Sequence, residues 1–162
     1  MWFLAAALII FVIEAQIPLP VPVPGFKLGL ANAVTLFALF YRRGGERSTC
    51  SLTTADALLI LVCRIILGAF FTGRIVAFLY SISGGLLGFA AQAVMRRFVT
   101  PKQIWVCGAV GAVFHNIGQI LAAILVTGTP AIAAYLPALI IAGVITGMIT
   151  GFVAQFALKR IK

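Results

Sequence analysis

The sequence has little charge and few acidic residues. Charged residues make up 9% of its 162 residues, and only three are acidic, whereas about a quarter of a soluble globular domain is charged. Hydrophobic side chains make up 63% of the chain, and the mean hydropathy is +1.18. This composition excludes a soluble globular domain, a disordered chain, collagen and a disulfide-stabilised secreted domain. It predicts one integral membrane domain over residues 1–162.

The acidic residues are too sparse for several common forms of catalysis. Glu14, Glu46 and Asp56 are far apart in sequence, whereas magnesium-dependent diphosphate chemistry needs clustered carboxylates. The chain also lacks a Walker A sequence and any Ser-His-Asp or Cys-His set with an acidic partner. We therefore predict that it is not an enzyme and uses no cofactor and no metal.

The cysteines do not indicate a redox or metal site. Cys50, Cys63 and Cys107 lack the CxxC or Cys/His spacing of disulfide and zinc motifs. We expect them to be free, buried thiols.

Apolar residues form six helix-length runs, which favour membrane helices over the shorter alternating strands of a β-barrel. These runs cover residues 2–17, 28–41, 55–72, 75–95, 104–126 and 131–158. The first run lacks the basic region and cleavage site of a signal peptide, so it is predicted to span the membrane. The second is too short to cross about 30 Å of hydrocarbon as a straight helix. A tight turn is predicted at Thr72-Gly73-Arg74, and the last run can tilt or break near its glycines.

Most basic residues follow the even-numbered runs. These residues are Arg42, Arg43, Arg47, Arg96, Arg97, Lys102, Lys159, Arg160 and Lys162. With six spans they all lie on one side, which the positive-inside rule assigns to the cytoplasm together with both termini. The net charge of +9 is therefore explained by orientation in the membrane, and no nucleic-acid partner is predicted.

Prolines alternate in the loop after the first run. Pro18, Pro20, Pro22 and Pro24 fix φ, lack an amide donor and favour extended backbone. Such backbone has no internal hydrogen bonds, so it must lie against protein, water or the membrane interface. The loop is either a stiff connector or a flap over an outward-facing cavity.

Glycines recur at helical spacing in two runs. Gly143, Gly147 and Gly151 form a GxxxGxxxG ridge, and Gly84 with Gly88 repeats the spacing. Such grooves let helix backbones approach closely in lipid. They favour packing within the bundle, with a docking face for another protein as the alternative.

Polar residues within the apolar runs are the main functional signal, because polar burial in a membrane is costly. Depth along the helices predicts one outer-half site. Its candidate residues are Glu14, Gln16, Lys27, Asn32, Arg64, Arg74, His115, Asn116 and Gln119. Three basic groups, one acid and a histidine favour an anionic or zwitterionic small molecule. The alternative is that Arg64 pairs with Glu14 while the Asn/His/Gln group bridges helices. Asp56, Gln92 and Gln155 are predicted to lie nearer the inside, apart from this set.

Two motifs resemble a known family. Ile17–Pro24, Lys27–Asn32 (KLGLAN) and the following Thr35-Leu36 resemble the proline-rich loop and signature of bacterial membrane proteins called Gx transporters. These proteins are also called heptaprenyl diphosphate synthase component I. Phe114–Gln119 resembles the HNxGQ element of the same family. The resemblance covers nearly the whole chain in order.

The resemblance implies a fold and partners. The family is grouped with the S components of energy-coupling-factor (ECF) transporters, which implies an all-α bundle of six transmembrane helices with cytoplasmic termini in the bacterial inner membrane. S components bind substrate in the outer half, under the first outer loop, and work with a transmembrane T component and two ATPases. However, Ala5–Ala7 are followed four residues later by Ile9–Phe11, so the AxxxA docking motif is absent. The Gly143–Gly151 ridge is a candidate substitute.

These observations leave three functional hypotheses. The first is a membrane subunit that binds a small organic molecule for ECF-type uptake. The second is a non-catalytic membrane accessory of isoprenoid or quinone (heptaprenyl diphosphate) biosynthesis, since the chain lacks the Asp-rich motifs of a prenyltransferase. The third is a structural or channel subunit whose polar groups pair with each other.

Overall fold

The described part of the chain is helical. A computed structural model describes residues 9, 30–41, 53–73, 75–100 and 102–161, which contain no strand. The helices are α1 (Leu30–Phe40), α2 (Thr54–Thr72), α3 (Ile75–Met95), α4 (Ile104–Thr127) and α5 (Leu136–Ile161), with a 3-10 helix at Pro130–Tyr135 before α5. Helices α2 to α5 are each long and apolar enough to cross a membrane. The prediction of an all-helical, multi-pass membrane protein is therefore confirmed.

The second to sixth apolar runs correspond to α1 to α5. Only Ile9 of the first run is described, and the proline-rich loop lies outside the described residues. The count of six spans and the side on which the termini lie therefore stay predictions.

Helix α2 is delimited by local sequence signals at both ends. The Thr53 hydroxyl accepts a hydrogen bond from the Asp56 amide, and the Asp56 carboxylate accepts one from the Thr53 amide. This reciprocal capping box satisfies two donors that a helix N-terminus leaves unpaired. At the other end Gly73 has φ of 62° and donates to the Ala69 carbonyl. The predicted turn between α2 and α3 is therefore confirmed.

The described lengths of α1 and α5 differ. The described part of helix α1 has 11 residues, or about 16 Å of rise, and the residues just before Leu30 lie outside the described ranges. Helix α5 has 26 residues and runs without a break through its glycines. Its rise of about 39 Å exceeds the bilayer core, so tilting is the alternative that agrees with the structure.

The five helices pack in a closed order. Each helix contacts the next along the chain, and α1 also contacts α5. Buried side chains of α1 contribute to two core clusters: Ala38 and Leu39 pack with α2 and α3, whereas Leu36 and Phe37 pack with α4 and α5. Helix α1 is therefore held between the two sides of the bundle.

The outer surface of the bundle is apolar along the helices and basic at one end. Leu125 is 84% exposed and Phe70 is 82% exposed, as expected for side chains that face lipid. Arg96 at the end of α3 donates to Thr54 at the start of α2, so these two ends lie together. In the described part of the chain, every Lys and Arg other than Arg64 lies at this end or in the turn beside it.

Candidate functional site

A small polar cleft lies inside the bundle. It lies between four helices, and α5 does not contribute to it. Its lining residues are Asn32, Thr35, Leu61, Gly85, Gly88, Phe89, Gln92, Gly111 and His115. The volume that a water molecule can occupy is about 10 Å³, close to the minimum that one bound water needs. We call this space the polar cleft.

The polar cleft lies in the middle part of the helices. Leu61 and Gly111 each lie seven residues after the start of their helix, or about 10 Å along the axis. Both helices begin at the end where the basic residues gather. The cleft is therefore separated from that end by about two helical turns.

A buried arginine lies beside the cleft. Arg64 is 7% exposed, and its Nη2 donates to Asn32 Oδ1 at 2.8 Å. Arg64 lies ten residues after the start of α2, near the middle of the span and about 15 Å from that end. The structure therefore brings together two residues that the sequence predicted for one site.

Thr35 is a cleft residue that the list of candidates omitted. It is 2% exposed, and among the described residues its hydroxyl oxygen has no hydrogen-bond partner. Thr35 lies three residues after Asn32, which places both on one face of α1. This i, i+3 spacing is the sequence signal that could have identified it.

Gln92 also lines the cleft, which corrects the expectation that it lies apart from the site. It continues the glycine spacing of α3, four residues after Gly88 and eight after Gly84. Residues at this spacing share one helix face. The Gln92 side chain lies over Gly111, where a Cβ atom would overlap it. The absence of a side chain at Gly111 gives the long Gln92 side chain room to reach the cleft.

The motif of α4 is divided between two interfaces. His115 lies against Gly84 and Gly88 of α3 and lines the cleft. In contrast, the Asn116 Nδ2 atom donates to the Leu139 carbonyl of α5 at 2.6 Å. Adjacent residues point about 100° apart on an α-helix, so His115 and Asn116 face different partners.

Gln119 follows His115 on the α3 side of α4. Its Cγ atom lies 2.7 Å from the position of a Cβ atom at Gly84. Gln119 is absent from the residues that line the cleft. Asn116 and Gln119 therefore occupy helix interfaces, as in the helix-bridging alternative for this group.

The other candidates lie outside the described residues. Glu14, Gln16, Lys27 and Arg74 belong to this group, and their place in the site stays a prediction. The described acid, Asp56, caps α2 and is separate from the cleft, as predicted. Gln155 is likewise absent from the cleft lining.

The cysteines agree with the prediction where they are described. Cys63 and Cys107 are free, although Cys63 is only half-buried, and Cys50 lies outside the described residues. Within the described ranges, no group of three or more His, Cys, Asp or Glu side chains is close enough to hold a metal ion.

The glycine ridge of α5 packs against α4. A Cβ atom at Gly147 would lie 2.5 Å from the Gly108 carbonyl oxygen, and one at Gly151 would lie 2.5 Å from Trp105 Cα. We call the glycine contacts of α4 with α3 and α5 the glycine seam. Its residues are Gly84, Gly88, Gly108, Gly111, Gly118, Gly143, Gly147 and Gly151. Packing within the bundle is confirmed, and the suggested use of Gly143–Gly151 as a docking face is wrong because α4 covers it.

The comparison with protein families gives one match. The family model described as heptaprenyl diphosphate synthase component I matches residues 3–157, which confirms the resemblance noted from the two motifs. No curated protein and no solved structure gives a match.

Proposed function

The chain belongs to the heptaprenyl diphosphate synthase component I family, and we propose that it is the substrate-binding membrane subunit of an ECF-type uptake transporter. Its substrate would be a small organic molecule that is anionic or zwitterionic. The observation that carries this proposal is the buried pair of Arg64 and Asn32 beside the polar cleft.

An arginine in the middle of a membrane span favours a functional role. A charge in the membrane interior costs free energy, so such residues are usually kept for binding or transport. The described residues that line the cleft include no acid, and a guanidinium has five N–H donors. A guanidinium that also holds Asn32 is therefore a group suited to bind an anion.

The cleft is small in this conformation, which has a mechanistic consequence. Because it has space for about one water molecule, a whole organic substrate can fit only if the helices around the cleft separate. Helices α1 and α2 are the elements suited to move, because their contacts are less extensive than those of α4 with α3 and α5. The walls of the site that the described helices do not supply would come from the first run and the proline-rich loop.

The proposed partners are a T component and two ATPases. The Gly143–Gly151 ridge is covered by α4, and the first run lacks AxxxA spacing. Docking to a T component therefore needs another lipid-facing surface. The proposal also includes cytoplasmic termini and a bacterial inner membrane. A reporter fused to the C-terminus, active only on one side of the membrane, tests on which side that terminus lies.

Native mass spectrometry tests the binding role. The protein is extracted gently from its own membrane, and bound small molecules and bound proteins are both scored. We expect a stoichiometric small molecule that is lost in Arg64→Met, because that variant keeps the length of the side chain and removes the charge. Arg97→Met is the matched control, since Arg97 is exposed beyond α3. A wild-type protein without a small molecule, or one retained equally in Arg64→Met, would contradict the proposal.

The family description favours a second function. A component of a heptaprenyl diphosphate synthase with no described carboxylate cluster would be a non-catalytic membrane accessory of the synthase. The exposed basic residues at one end of the bundle offer it a surface for an acidic protein. The same mass spectra distinguish the two functions. A soluble prenyl synthase bound without a small molecule supports the accessory, whereas a T component with ATPases supports the transporter.

A further inference from the structure

The polar cleft contains a hydroxyl group that no described residue binds. Thr35 is 2% exposed, and its Oγ1 atom has no hydrogen-bond partner among the described residues. A buried hydroxyl without a partner lowers stability, because it loses its hydrogen bonds to water. Valine has nearly the same shape and would avoid this cost. Packing alone therefore does not explain the hydroxyl, which faces a space that a water molecule or a ligand atom can occupy.

The other threonines within the spans show the contrast. Thr150 is 5% exposed, and its hydroxyl donates to the Gly147 carbonyl at 3.0 Å. Thr146 likewise donates to the Ala142 carbonyl at 3.0 Å. A threonine in a helix commonly satisfies its hydroxyl in this way. Thr35 differs from both because it lines the cleft.

The groups around the cleft are rich in donors. Asn32 accepts from Arg64 through Oδ1, so the group that it has left for a ligand is its Nδ2 donor. Thr35 adds a hydroxyl donor, and Gln92 adds an amide with two N–H bonds. No described residue of the lining is acidic. The matching ligand group is therefore one that accepts several hydrogen bonds and carries negative charge.

The size of the cleft restricts that group. A Cβ atom at Gly88 would lie 2.7 Å from the Gly111 carbonyl oxygen, and one at Gly111 would overlap Gln92. The space that a water molecule can occupy in the cleft is about 10 Å³. The cleft can therefore hold one oxygen atom of a head group. The rest of the ligand must lie outside it.

We propose that Thr35 contacts the substrate and that the polar cleft is the subsite for one oxygen of its oxyanion head group, a carboxylate or a phosphate. Asn32 and Gln92 complete this subsite, and Arg64 supplies the charge. The inference rests on the proposed function, because it assigns the part of the substrate that enters the bundle.

The test uses acetate and inorganic phosphate as probes of the two head groups. Each is titrated against purified full-length protein in detergent, and the rise in its thermal midpoint reports binding, since a ligand of the native state stabilises it. We expect one probe to stabilise the wild type. Thr35→Val should lower the affinity for that probe by about tenfold or more, because a hydrogen bond to a charged group contributes about 1.5–3 kcal/mol. Without a probe, Thr35→Val should be as stable as the wild type or more stable.

Two variants separate the hydroxyl group from general packing. Thr35→Ser keeps the hydroxyl and should keep the affinity for the probe. Thr150→Val removes a buried hydroxyl that has a partner, and it should leave the affinity unchanged. Acetate binding identifies a carboxylate, and phosphate binding identifies a phosphate.

Three outcomes would overturn the inference. The first is equal affinity of Thr35→Val and the wild type for the probe, and the second is a wild type that binds neither anion. The third is failure of Thr35→Val to fold, since the fold itself would then need the hydroxyl. A native substrate that is lost in Arg64→Met but kept in Thr35→Val would overturn this inference alone. The absence of any native substrate would instead overturn the proposed function.

Discussion

The glycine seam and the polar cleft are adjacent but differ in how their helices meet. In the seam, helix backbones are so close that a Cβ atom at Gly118 would lie 2.8 Å from the Ser83 carbonyl oxygen. The cleft shares Gly88 and Gly111 with the seam but is also lined by polar side chains, and one buried hydroxyl has no described partner. Close packing without a solvent-driven hydrophobic effect is what stabilises membrane bundles. We therefore expect the seam to contribute more to the stability of the bundle than the cleft does.

Helix α4 belongs to both regions because its faces are used differently. Gly108 and Asn116 face α5, whereas Gly111 and His115 face α3. Each pair repeats at multiples of four residues, so each follows one side of the helix. The comparison predicts that substitutions on the two faces of α4 change different measured properties.

The largest expected effect is in the seam, at Gly147. A Cβ atom there would lie 2.5 Å from the Gly108 carbonyl oxygen and 2.7 Å from Ala109 Cα, so backbone would have to move. Overpacking in a well-packed core typically costs about 1–3 kcal/mol, and leucine adds three further carbons. We expect Gly147→Leu to abolish the monodisperse peak in size-exclusion chromatography.

The control for this substitution is Ile145→Phe, which adds bulk on the same helix at a position that is 51% exposed. It should behave like the wild type. A Gly147→Leu protein with a wild-type elution volume and thermal midpoint would show that the seam does not determine stability.

The sequence predicted the helices well because their signals are local. The bounds of α2 follow from the Thr53–Asp56 capping box and from Gly73. The glycine spacing of α5 correctly favoured internal packing, since only small residues permit such close contact. The partner of that ridge could not be predicted, because helix spacing does not say which neighbour a face meets.

The site was predicted less well because depth along a helix does not fix direction around it. His115 and Asn116 have nearly the same depth, yet only His115 lines the cleft. Gln92 was assigned by depth to another layer, although its side chain crosses over Gly111. Arg64 and Asn32, which depth placed in the same half of the membrane, are hydrogen-bonded to each other, and their role in binding stays a prediction.

The next largest effect is expected where seam and cleft meet, at Gly111. A Cβ atom there would overlap the Gln92 side chain from Cγ to Nε2, so that side chain would have to adopt another rotamer. Because Gln92 lines the cleft, Gly111→Ala should reduce binding of the native small molecule by about tenfold or more while the protein stays folded. Occupancy in native mass spectra and the thermal midpoint measure the two effects.

Val126→Ile adds a similar volume to α4 at a site that is 46% exposed, and it should change neither property. If Gly111→Ala unfolds the protein, as Gly147→Leu is expected to, then Gly111 is needed for helix packing and has no separate role in binding. If it keeps wild-type occupancy, the cleft is not the place where the molecule binds.

The smallest effect on stability is expected from alanine substitutions of two asparagines, Asn116 in the seam and Asn32 in the cleft. These two variants also compare the two regions most directly. The Asn116 amide donates to the Leu139 carbonyl in the seam, and hydrogen bonds between membrane helices average about 0.6 kcal/mol. We therefore expect Asn116→Ala to lower the free energy of unfolding by about that amount and to leave binding unchanged.

Asn32→Ala removes the acceptor that holds Arg64, so it should lower occupancy by the native small molecule. Unfolding titrations and native mass spectra of both variants would show whether the two effects separate. If Asn116→Ala releases the molecule while Asn32→Ala retains it, the α5 side of α4 is the binding face, and the assignment of the two regions must be reversed.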